Sequence, residues 1–114
     1  VMYMPDRFTR PNPLRGDVVI DVSEHMETIV RMMCCHRSQF FQWLAYNHAY
    51  EEQVPKGDEE QFQFLLSWYR NHLRPMADLY RERIVELYGE EKGRQMEFVE
   101  VYEATRQRLF AFAV

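Results

Sequence analysis

Cysteine, glycine and proline are scarce in this 114-residue sequence, at two, four and five residues. The cysteines, Cys34 and Cys35, are adjacent and cannot bridge one another without severe strain. A disulfide scaffold is therefore excluded, and packing roles in a reducing compartment are expected. No apolar run approaches the roughly 20 residues needed to cross a bilayer, and no signal peptide is visible. The expected setting is cytoplasmic, without a membrane partner. A basic excess is also missing: the net charge is -4, and Arg and Glu alternate along Tyr80-Arg81-Glu82-Arg83 and Gly89-Glu90-Glu91-Lys92. Phosphate backbones need a concentrated basic face, so no nucleic-acid partner is expected. Neither C-x-x-C nor H-E-x-x-H spacing occurs. His25 and His36 lie eleven residues apart. On one helix that places them about 16 Å apart, too far to share an ion, and no metal site is expected from these residues.

What is present is apolar and aromatic side chains, at 46% and 15% of the chain. Val18 to Val22 is a β-branched run between Gly16 and Ser23, which predicts a strand covered on both faces, as in α/β proteins. Asp21 or Ser23 can cap a helix running to about Tyr46. Its apolar side chains recur at Met26, Ile29, Val30, Met33, Phe40, Phe41 and Leu44, and continuous periodicity puts His36 on the inward stripe.

Residues 1 to 4 read as a strand, and Pro5, Pro11, Pro13 and Gly16 mark an irregular connection. Asn47 to Gly57 reads as a loop ending in the turn signal Pro55-Lys56-Gly57. Asp58 and Gln61 have the spacing of a capping box, opening a second helix. Its stripe runs in phase from Phe62 through Leu65, Leu66, Tyr69, Leu73, Met76, Tyr80 and Ile84 to Leu87. Pro75 interrupts that ladder, which predicts a kinked helix or two helices end to end. Gly89 is the expected C′ residue, and 90 to 95 one more helical turn. Composition leaves 96 to 104 open between strand and helix, and 106 to 114 could add an edge strand or dock on a neighbour.

Three segments together resemble a known family. The strand Asp17-Val18-Val19-Ile20-Asp21-Val22-Ser23, then Cys35-His36-Arg37-Ser38-Gln39, then Phe98-Val99-Glu100-Val101-Tyr102 are similar, in this order, to the D-V-V-[VI]-D-[IV]-S, [AC]-H-x-S-Q and Y-A-E-A-F segments of LmbE-like (PIG-L) metal-dependent N-deacetylases. The resemblance implies an α/β chain, the helix-rich carboxy-terminal part of a Rossmann-like fold with few strands here, forming one partial domain over 1–114. It implies a parent enzyme that uses zinc to hydrolyse the N-acetyl group of an N-acetylglucosamine-type substrate. The family's A-H-P-D-D-E segment and its later metal-binding His are not in this sequence, so the chain alone is expected to hold no zinc. Self-association, or pairing with a missing amino-terminal half, is expected to cover its apolar surfaces.

On that resemblance His36 is the candidate catalytic residue, with Asp21, Ser38, Gln39 and Glu100 as substrate or supporting residues. Each has a structural rival: a satisfied core histidine for His36, a helix cap for Asp21, an exposed charge for Glu100. Phe40, Phe41, Trp43, Tyr46 and Tyr50 could line a sugar cleft or form core and interface. A non-catalytic helical module that docks a partner through this aromatic face is the alternative from a different class.

Overall fold

The computed structural model describes residues 2–4 and 13–104. Its elements in order are β1 (Met2–Tyr3), β2 (Val18–Asp21), a 3₁₀ turn (Ser23–His25), α1 (Met26–Cys34), a π-helical turn (Gln39–Trp43), α2 (Leu44–Asn47), a second 3₁₀ turn (Glu51–Gln53), α3 (Asp58–Leu79), α4 (Arg81–Tyr88), α5 (Glu90–Gln95) and β3 (Val99–Ala104). The chain is a helix-rich α/β protein. The expected tail at 106 to 114 and most of the Pro5–Pro13 connection lie outside the described residues.

The sheet has order β1-β3-β2 and is antiparallel at both pairings. Val18, Val19, Ile20 and Asp21 stand opposite Tyr102, Val101, Glu100 and Val99. The expectation that β2 is covered on both faces does not hold: Val19 is buried, while Ile20 on the other face is 42% exposed. An unbroken run of β-branched residues resembles a two-faced strand, but here one helical layer covers one side of the ladder. Tyr88 seals part of β2 from α4 by donating its hydroxyl to the Val19 carbonyl at 2.6 Å, and Arg83 donates to the Gly16 carbonyl at 3.0 Å. Arg15 ties the start of β2 to the end of β3 through Asp17, Glu103 and the Ala104 carbonyl.

Two apolar clusters share α3. Val22, Met26 and Val30 pack on it through Phe62, Leu65, Leu66 and Leu73. Val19, Val99 and Val101 pack on its end and on α4 through Ala77 and Ile84, with Met96. Val30, Ile84, Val99 and Val101 are the largest fully buried side chains, each stabilising by about 1.5–3 kcal/mol.

Two expectations about the helices need correction, and a third is met in one of its two forms. The helix drawn from Ser23 to Tyr46 is broken: α1 ends at Cys34, and the Cys35 and His36 amides fall back on the Met32 and Met33 carbonyls at 3.1 and 2.9 Å. The tightened last turn ends the ladder, so periodicity cannot be carried across it. The capping box is absent too. Gly57 precedes the first turn of α3 with no side-chain cap, because the buried Gln61 carboxamide is committed elsewhere, donating to the Pro55 carbonyl and accepting from Arg37. The expected interruption takes the form of two helices end to end: α3 runs through Pro75 to Leu79, and the joint falls at Tyr80, five residues beyond the proline. Tyr80 is anchored there by its hydroxyl on the Leu14 carbonyl at 3.0 Å.

Gly89 ends α4 at φ 84, the expected position, and α5 follows. Gly93 brings α5 against α4: an added Cβ would stand 2.8 Å from the Val85 Cα. Arg81 donates to the Gly93 and Met96 carbonyls, both at 2.7 Å, and so caps the end of α5. The following segment forms β3, the strand alternative of the two left open by composition.

Candidate functional site

The Cys35–Gln39 segment is the link between α1 and the helical stretch that follows. The His36 carbonyl accepts from the Gln39 and Phe40 amides at 3.0 and 3.1 Å, which restarts the helix. Five residues on, the Leu44 amide returns to the Gln39 carbonyl, the wide spacing of a π turn. The wide turn leaves the neighbouring rings of Phe40 and Phe41 both packed against the first core cluster. Phe40 meets Trp68 edge to face at 6.4 Å, and Arg37 lies 5.8 Å from the Phe41 ring centre.

Arg37 fastens this link to the start of α3. Its guanidinium donates to Asp58 at 3.0 Å and to Gln61 at 2.7 Å. The Gln61 contact matters more, because Asp58 is almost fully exposed and its ion pair is solvent-screened. Arg37 has no role in the sequence pattern beyond its place in the Cys35–Gln39 segment; its only signal there is a positive charge that can meet the acidic first turn Asp58-Glu59-Glu60.

His36 is exposed, contrary to the inward placement that continuous periodicity predicts. The break in the helix turns it out of the stripe. Ser38 and Gln39 are exposed beside it. Ser38 lines an open groove of about 600 Å³ with Phe41, Gln42, Trp43, Tyr46 and Glu51. Of these, Trp43 and Tyr46 are 56% and 71% exposed to solvent. Of the five aromatic residues noted in the sequence, these two are outward and Phe40 and Phe41 are core-facing. Tyr50 instead packs on Phe64 and stacks with His48.

Glu100 and Asp21 are placed differently. Glu100 stands opposite Ile20 on the open face of the ladder and accepts a hydrogen bond from the Tyr102 hydroxyl. That bond, with burial, pushes the Tyr102 phenol up to about 12; burial, then the Glu100 charge, raises that of Tyr69 on α3. Asp21 pairs with Val99, one residue along the ladder, and so lies on the opposite face from Glu100. Its Oδ1 accepts from the Ser23 amide at 3.1 Å and hydroxyl at 2.7 Å, a local turn closing the strand.

The predicted residues therefore fall into three places, one of them Asp21 in its turn with Ser23. His36, Ser38 and Gln39 form one exposed strip beside the aromatic groove. Glu100 belongs to a tyrosine-flanked patch near Tyr69. Arg37 holds the strip at Asp58, eleven residues before Tyr69 and about 16 Å away along α3. Among the described residues, no three His, Cys, Asp or Glu converge as a group that could hold a metal ion. No helix among them is long and apolar enough to cross a membrane. Compared with protein-family models, with curated proteins and with solved structures, the chain shows no match.

Proposed function

We propose that this chain is the carboxy-terminal part of an LmbE-like N-deacetylase acting on an N-acetylglucosamine-type substrate. The observation that carries the reading is that the H-x-S-Q segment opens a π-helical turn with His36, Ser38 and Gln39 exposed. Such local departures from α geometry recur at functional sites. Two of the three family-like segments also lie side by side as β2 and β3. In this reading His36 hands a proton to the leaving amine, or donates to the developing oxyanion, and Ser38 and Gln39 orient the sugar amide. Glu100 and Asp21, on opposite faces of the ladder, act as supporting or substrate-contacting residues on separate surfaces. Zinc ligands and the rest of a Rossmann-like sheet would come from outside this sequence, since the described strands pair only antiparallel.

The test is acetate release from N-acetylglucosamine derivatives by the parent polypeptide that includes an A-H-P-D-D-E segment. Release that requires zinc and drops about a hundredfold in His36→Ala supports the reading. A parent without that segment, or one inert with zinc present, overturns it.

The second reading, a partner-docking or self-associating module, is favoured by one observation, the outward Trp43 and Tyr46. Sedimentation distinguishes it: association lost in Trp43→Ser/Tyr46→Ser supports an interface, and a monomer at high micromolar concentration counts against self-association.

A further inference from the structure

A separate groove of about 420 Å³ runs between α3 and the segment leading into β3. Gln63, Ser67, Arg70, Asn71 and Arg74 occupy one stripe of α3, three and four residues apart, and face Glu97 and Phe98 across the groove. The chain as a whole carries -4, yet here two guanidiniums meet one carboxylate. Among the described residues Arg70 has no ion pair, and Arg74 has only a long, exposed one to Glu97 at 3.6 Å. Leu66 and Phe98 supply the apolar part of the lining.

We propose that this groove binds an organic phosphate monoester. A carboxylate offers two oxygens in one plane, whereas a phosphate monoester presents three terminal oxygens on a tetrahedral centre and carries more charge, so it is the better match to Arg70 and Arg74 together with the Asn71 carboxamide and the Ser67 hydroxyl. The space is on the scale of small-molecule sites and too large for phosphate alone, so the body of the ester lies against Phe98. Glu97 competes for Arg74 and is displaced on binding. The site does not depend on the deacetylase reading, and its test involves no catalysis.

The experiment is calorimetry on the 114-residue chain at low ionic strength with phenyl phosphate, inorganic phosphate and benzoate. Phenyl phosphate should bind one to one, about tenfold or more tighter than either fragment. Arg70→Gln and Arg74→Gln should each weaken it about tenfold, and Glu97→Gln should tighten it roughly threefold by freeing Arg74. The far-UV dichroism melt of each variant accompanies the titration, and because both arginines are exposed the melts should match the parent. Absence of heat with phenyl phosphate would overturn the proposal. So would benzoate binding as tightly, or an equal loss in Arg94→Gln, a surface arginine on α5 away from the groove.

Discussion

Tyr102 donates its hydroxyl to the carboxylate of Glu100, two residues earlier on the same face of β3. This bond is made only while the phenol is protonated, so it raises the folded-state value to about 12. The unfolded value is near 10, and the stabilisation is therefore fully present below pH 10 and lost as the pH rises towards 12. Denaturation midpoints measured from pH 9 to 12 should fall more steeply for the parent chain than for Tyr102→Phe. Ultraviolet titration of Glu100→Gln should show the Tyr102 phenol moved back towards its ordinary value. An unchanged phenol in Glu100→Gln would show that burial alone raises it.

His36→Ala should leave the denaturation midpoint within about 0.5 kcal/mol of the parent, because the side chain is exposed. A core histidine would instead lose roughly 2 kcal/mol. Urea titration of the isolated chain decides between them independently of any activity.

Arg37 should couple more strongly to Gln61 than to Asp58. Removing Arg37 leaves the Gln61 carboxamide oxygen, on a residue 7% exposed, without its guanidinium partner, at a cost of about 1 kcal/mol or more. The Asp58 pair is solvent-screened and worth under about 0.5 kcal/mol. Double-mutant cycles for the two pairs give the order directly.

Gly93→Ala and Gly89→Ala should both destabilise, for different reasons. At Gly93 the new methyl meets the Val85 backbone at 2.8 Å, so α4 and α5 must separate, costing about 1–3 kcal/mol. At Gly89 there is open space but φ is 84, and the cost is the backbone conformation alone, about 1 kcal/mol. Consequently Gly89→Asn should recover part of the loss, since asparagine tolerates that conformation, while Gly93→Asn should be worse than alanine. Thermal melts of the four variants test the ordering.

Several elements were legible from residue order because their causes are local. The strand at Val18–Asp21, the stripe of α3, the stop at Gly89 and the short α5 all follow from local composition, periodicity or a single special residue. The position of the α3–α4 joint was not legible, because Pro75 breaks one hydrogen bond while Tyr80 is held by Leu14, 66 residues away. Nor was the outward turn of His36. A periodic argument assumes one unbroken ladder, and the ladder ends where Cys35 and His36 fall back on Met32 and Met33 and Arg37 finds Gln61 across the sequence. The candidate site divides in the same way. Residue types and their order singled out Asp21, His36, Ser38, Gln39 and Glu100, but strand register alone put Asp21 and Glu100 on opposite faces. Sequence determines which side chains can do chemistry and which stretches bury an apolar face; long-range pairing of backbone and side-chain donors decides which of them share a surface.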